Sequence, residues 1–302
     1  MTLRNVGMKI VLNPIIKKEL KIAFRSKKIL WGLIAYEAIL IYIFHRALLI
    51  LRVIPVSGYQ NFFSRMIVPL IMIAQIGMTA LAIPVMTASS ISGERERQTL
   101  DILLTTCLSP MEIVFGKVFS VIVEFMLYVA VGLPITVLAY VRGGLSLWTP
   151  LLLFVVIFVF ATFLGSIGVF CSSVSSKSVT SILRAFGLHF VICFLTCMPE
   201  VMVTGVIRGN KHYDSLLFLL LNPLVFLEEF FMLSLSGYSL FSGDQFGSFD
   251  SSDGFFTKLL AHGPLWCILS GVCMLGLSRL FMYLAARNID PLKKKDNKIQ
   301  NE

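Results

Sequence analysis

The sequence predicts an all-α integral membrane protein. Six transmembrane helices are expected, with an interfacial helix ahead of the first and a cytoplasmic helical segment between the second and third. Short re-entrant or external helices are expected between the fifth and sixth. Three observations predict this. The 302 residues are 57% hydrophobic and only 14% charged, where soluble domains run about 45–50% apolar and about 25% charged. Six stretches, 29–51, 66–91, 113–140, 147–170, 182–207 and 259–286, are mostly apolar and reach the ~20 residues that a helix needs to cross the hydrocarbon core. The basic residues gather at the edges of those stretches, mostly on one side.

The charge deficit excludes a water-soluble enzyme of this length and a disordered chain, because both need charged surface. A net charge of +9 would point to nucleic acid in a soluble chain. Here the placement of the charge reads as membrane topology, and no nucleic-acid partner is expected. The six cysteines, Cys107, Cys171, Cys193, Cys197, Cys267 and Cys273, lie in or beside apolar stretches. None forms a paired Cys-x-x-Cys set, so buried reduced thiols are expected rather than a disulfide framework.

The first element covers residues 13–28. Asn13 is an N-cap and Pro14 takes the first helical position. Ile16, Leu20, Ala23 and Phe24 follow at helical spacing on one face, and Lys17, Lys18, Lys21, Arg25 and Lys28 populate the other. This is a basic amphipathic helix suited to the headgroup plane, with membrane lipid as its partner. A generic positive flank that anchors the first span is the alternative. The first apolar run lacks a short apolar core with a small-residue cleavage site, so it reads as a mature helix rather than a secretory signal.

Residues 92–109 follow the second span. Glu94, Arg95, Glu96 and Arg97 open the segment, and Leu100, Leu103, Leu104, Cys107, Leu108 and Met111 form one helical stripe. Ser109, Pro110 and Glu112 make a capping box that starts a fresh helix. The chain therefore leaves the membrane, runs a short helix along the surface, turns and re-enters. A charged tip backed by an apolar stripe suits a segment that receives a push from a soluble partner. A solvated loop whose charges merely keep it out of lipid is the other reading.

A further apolar stretch, residues 216–233, is broken by Asn222-Pro223 and carries Glu228 and Glu229, so it reads as two short helices rather than a seventh span. Charge parity agrees. With six spans both termini share one side, which then holds 18 of the 26 basic residues, and the positive-inside bias makes that side cytoplasmic. Residues 208–258 become an external insert, whose second half is a loop rich in Ser, Gly and Asp, and residues 287–302 a basic cytoplasmic tail. The whole chain, 1–302, reads as one transmembrane domain.

The run SGERERQTLDILLTTCLSPMEIVFGK, with Gln98-Thr99-Leu100, Leu103-Leu104-Thr105-Thr106, Leu108-Ser109 and Gly116-Lys117, resembles the membrane subunits of type-2 ABC transporters. It departs from that family at Gln98, often Gly, and at Cys107, often Pro. Residues 13–28 resemble the family's elbow helix, carried by Lys17, Lys18, Leu20, Lys21, Phe24 and Arg25. The resemblance implies a dimer of such subunits, with like or unlike partner, bound to separate ATP-binding subunits that hold ATP and magnesium. It also implies that residues 92–109 form a coupling helix. Glu94, Arg95, Glu96, Arg97, Gln98, Thr99 and Asp101 would make its polar contacts, and Leu100, Leu103 and Leu104 would pack. No Gly-x-x-x-x-Gly-Lys-Ser/Thr loop stands in these residues, so ATP hydrolysis is expected on another polypeptide and no cofactor or metal on this one.

Other constellations in the chain have blander readings beside the functional ones. His189, Cys193 and Cys197 share roughly one face of the fifth span, where packed thiols are commoner than a soft-metal site. Glu228-Glu229 evokes an intramembrane protease but lacks a following Arg on its helix. Glu37, Glu124 and Glu200 lie in or near spans and are candidates for a substrate path, or for carboxylates tied to a neighbouring helix. Trp31, Trp148 and Trp266 suit interfacial anchoring. The expectation is an exporter permease of a bacterial plasma membrane. A non-transporting scaffold or regulator of an ATPase is the rival reading.

Overall fold

The computed structural model describes residues 14–51, 66–105, 108–206, 216–237 and 263–290. These form helices and connecting turns, with no strand among the described residues. In chain order they are α1 (Pro14–Arg25), α2 (Lys27–Leu51), α3 (Val68–Ala88), α4 (Ser92–Glu96), α5 (Leu100–Leu104), α6 (Pro110–Arg142), α7 (Trp148–Val174), α8 (Ser178–Val206), α9 (Leu216–Leu219), α10 (Pro223–Ser236) and α11 (Gly263–Ile289). Six of them, α2, α3, α6, α7, α8 and α11, are long and apolar enough to cross a membrane. Asn13, the external loop over 238–258 and the basic tail over 291–302 lie outside the described residues.

The bundle is built around α7, which packs against α3, α6, α8 and α11. Its most apolar stretch is 67% buried, against 17% in α2 and in α8. Small residues put it there, because helices in lipid associate by close backbone approach rather than by hydrophobic expulsion. A Cβ on Gly168 would overlap the Thr87 hydroxyl and sit 3.2 Å from the Ala88 backbone nitrogen. One on Gly165 would press on Val118 at 3.3 Å. α3 can therefore lie directly on α7. At a second close approach, Gly132 of α6 faces Leu40 and Tyr36 of α2.

The bundle interior is mostly apolar, and several of its polar groups bond to one another or to nearby carbonyls. Gln75 Nε2 donates to Thr136 Oγ1 at 3.1 Å between α3 and α6, while Thr79 and Thr136 donate to carbonyls four residues back. The predicted capping box is present: Ser109 Oγ accepts from the Glu112 N–H, and Glu112 Oε2 accepts from the Ser109 N–H at 2.8 Å.

Alternation of the spans puts the 2–3 and 4–5 connections at one end of the bundle and the 5–6 connection at the other. At the latter end, α9 and α10 are separated at Asn222-Pro223 as the sequence predicts. Asn222 Oδ1 caps α10 by accepting from Leu224 N–H at 2.9 Å, and Gly237, at φ 73°, closes it in the left-handed conformation. Trp266 is buried inside the bundle, whereas Trp31 and Trp148 are exposed.

Candidate functional site at the α4 end

The segment between the second and third spans is seated on the bundle by hydrogen bonds that its own sequence does not advertise. Ser172 Oγ, near the end of α7, accepts from the N–H groups of Ile91 at 3.0 Å and Ser92 at 2.8 Å. Arg95 lays its guanidinium on the turn that joins α7 to α8, donating to the carbonyls of Ser173, at 2.9 Å, and Ser175. Glu96 accepts from the N–H of Ser178 at 3.0 Å and from its hydroxyl at 2.7 Å. A carboxylate there complements the orphan donors and positive dipole at the start of α8. Arg184 and Asn288 add bonds to Ser175 Oγ and Ser173 Oγ. The hydroxyl-rich run over residues 172–178 is thus a socket for α4, filled from the turn before α4, from α4 itself, and from α8 and α11.

The opposite side of α4 is held by a cation. Lys117, about two turns into α6, keeps only 6% of its side chain exposed, with Nζ 2.9 Å from Glu94 Oε1 and 3.4 Å from Glu19 Oε1. An ammonium with so little solvent is retained only when paired, and here the partners come from α4 and α1. A cavity of about 430 Å³ opens beside the pair, lined among others by Glu94, Glu96, Arg97, Lys117 and Ser178.

The expected single helix over residues 92–109 is instead two helices of five residues each, α4 and α5. The break lies at Gln98, whose φ of 59° is left-handed, a conformation that Cβ sterics make unfavourable for residues other than Gly. Thr99 N–H donates to Glu94 O at 2.9 Å and closes the turn. Beyond it, Leu100 is buried and Leu103 packs partly against the bundle core, while Ile102 is 69% exposed. Among the described side chains over residues 92–105 the segment therefore exposes Glu96, Arg97, Gln98, Thr99, Ile102 and Thr105, of which Arg97, Gln98 and Ile102 carry the charge, the amide and the apolar surface that point outward. The side chains of Asp101 and Leu104, and the whole of Cys107, lie outside the described residues.

In α1, Ile16 is buried, Leu20 is half-buried, and Lys17, Lys18, Lys21 and Arg25 are exposed. Phe24 and Ile22 are exposed apolar side chains of the same helix. The side chains of Ala23 and Lys28 lie outside the described residues. The three candidate path carboxylates do not meet in one described site. Glu37 lies by Gly132 at the α2–α6 contact. Glu124 accepts from the Tyr128 hydroxyl at 3.2 Å and lines a cavity between α1 and α6. The Glu200 side chain lies outside the described residues.

His189 Nε2 sits 3.8 Å from Cys193 Sγ, and Asn222 Nδ2 donates to Cys193 O at 3.1 Å and to Cys197 Sγ at 2.9 Å. Those side chains fasten α10 to α8. Glu229 is fully buried and Glu228 exposed, so adjacent carboxylates face opposite ways rather than converging on one reacting centre. Sequence reasoning missed Glu19 and the 172–178 socket. Their signals were a lone acid in a basic helix and a dense run of hydroxyls at a span end.

Six spans, with a charged connection seated on the bundle and presented at its surface, define a multi-pass membrane protein of the permease class. The sequence matches the family described as ABC-2 family transporter protein over residues 4–248, and the chain belongs to that family. A search among curated proteins returns no match. Membership makes the chain a transmembrane subunit of an ABC transporter, a membrane component that is not itself catalytic, and the family implies a partner ATP-binding subunit.

Proposed function

We propose that this chain is the membrane subunit of an ATP-driven exporter and that residues 92–109 are its coupling element. The observation that carries this reading is the outward display of Arg97, Gln98 and Ile102 on a segment bolted to the ends of α6, α7 and α8. A force on such a segment enters three spans at once. ATP and magnesium would be held by the ATP-binding subunit, two of which would close on ATP and draw paired coupling elements together. The α4 end would face the cytoplasm with both termini, in agreement with the excess of basic residues on that side. α1 would lie as an elbow helix in the headgroup plane with Lys17, Lys18, Lys21 and Arg25 on anionic lipid. A second permease subunit, like or unlike, would complete the path in a bacterial plasma membrane, and export is the direction the resemblance favours.

The test is Arg97→Glu combined with Ile102→Asp. Both side chains are exposed and hold nothing in the bundle, so the spans should fold as before. The ATP-binding subunit should no longer co-purify in mild detergent. Retention of a stoichiometric ATPase on that double variant would remove residues 92–109 from the docking role.

A further inference from the structure

Glu19 is the one acidic residue in α1, PIIKKELKIAFR, and has lysines on either side in sequence. It turns away from them to Lys117 of α6. That contact stands between two openings. The cavity of about 430 Å³ beside α4 and a second of about 300 Å³ between α1 and α6 are both lined by Glu19, Ser120 and Val121. At this level the ion pair spans a gap that side chains do not fill. The ammonium has three donors and little water, so it stays with its carboxylates as they move. One of those carboxylates is Glu94 of α4.

We infer that Glu19 is a positioning residue which, through Lys117, ties the interfacial helix α1 to α4. Displacement of the docking segment is thereby delivered to the membrane surface as well as into the spans. The inference rests on residues 92–109 being the docking element. It makes α1 a working lever rather than a passive anchor. The basic side chains that hold α1 to lipid become the load against which α4 moves.

Glu19→Gln isolates this link. Its side chain is 39% exposed, and Lys117 keeps Glu94 in the variant, so the fold and the docking segment are left standing. The complex with its co-purifying ATPase, in lipid nanodiscs, is compared by hydrogen–deuterium exchange without nucleotide and with ATP plus vanadate. In the natural protein, exchange should change in peptides covering both 92–104 and 14–25. In Glu19→Gln the first change should persist and the second fall to background, and Glu19→Asp should restore part of it. A change at 14–25 of undiminished size in Glu19→Gln overturns the inference, as does a natural protein in which 92–104 responds and 14–25 does not. If 92–104 itself is indifferent to nucleotide, the docking assignment fails first and this inference falls with it.

Discussion

The two ends of the bundle are held by different chemistry. At the α4 end the fastening groups are charged or hydroxyl-bearing: Lys117 between two carboxylates, Arg95 on backbone carbonyls, Glu96 at the start of α8, and Ser172 under Ile91 and Ser92. At the α10 end the hydrogen bonds that pin the turn are neutral. Asn222 clips it to the Cys193 carbonyl, and Ser270 Oγ of α11 donates to Leu220 O at 2.8 Å, with Phe226, Leu227 and Phe230 buried around them. Charge-assisted bonds are roughly twice as strong as neutral ones, yet beside an open cavity water can replace them as they shift. A neutral bond in apolar surroundings has no such substitute, because a freed polar group there stays unsatisfied. Under the proposed coupling role, the α4 end is suited to move while staying connected, and the α10 end to stay.

The sharpest way to break that contrast is Ser172→Ala. It removes the acceptor of two backbone N–H groups on residues that are fully buried. Each orphaned donor costs about 1–3 kcal/mol, so the loss should be roughly 2–6 kcal/mol. Thermal unfolding in detergent should show a clearly lowered midpoint, and the ATP-binding subunit should be held less tightly because α4 has lost its seat. A variant with an unchanged midpoint would mean that the Ser172 acceptor is dispensable and that Arg95, Glu96 and Lys117 suffice to hold α4.

Asn222→Ala probes the other end and should matter less. It deletes an N-cap and an amide donor to the α8 backbone, together about 1–3 kcal/mol. The midpoint should fall, but retention of the ATP-binding subunit should match that of the natural protein, since no fastening at the α4 end is touched. Loss of the ATPase on this substitution would show that the ends are not independent.

The difference between the ends also separates what could be read in the sequence from what could not. Span number, the break at Asn222-Pro223 and the capping box at Ser109 all rest on local signals: hydropathy, proline geometry and a three-residue spacing. The structure reproduces them, with span ends shifted by a few residues, as for α6, which covers Pro110–Arg142 where 113–140 was expected. The α4 end is assembled from residues far apart in sequence. Lys117 meets Glu19 across 98 positions, and Ser172 meets Ser92 across 80. A serine that accepts a hydrogen bond from a distant backbone leaves no period to detect. The leucine stripe was legible as a stripe, but nothing local said that Leu100 would turn inward on the chain's own core while Ile102 faced out. The surroundings of Glu37 and Glu124 were illegible for the same reason: each is an acid in an apolar run, and only packing shows that Glu37 lies at the α2–α6 contact while Glu124 lines the cavity beside α1.

The smallest effect concerns the turn between α4 and α5, the two halves of the proposed docking segment. Gln98 sits at φ 59°, where a side chain adds strain of about 1–2 kcal/mol that glycine avoids. Glycine also carries more entropy into the unfolded chain, which offsets roughly 0.5–1 kcal/mol of that gain. Gln98→Gly should therefore leave the thermal midpoint unchanged or raise it slightly, and the ATP-binding subunit should still bind. Gln98→Val, β-branched and ill-suited to positive φ, should lower the midpoint instead. The family resemblance, in which Gly often stands here, then has a local cause: the chain turns between α4 and α5 through a left-handed residue, with Leu100 in the core and Arg97 and Ile102 on the surface. Should valine be tolerated as well as glycine, the turn would not need its left-handed residue, and α4 and α5 could relax toward one helix without loss of docking.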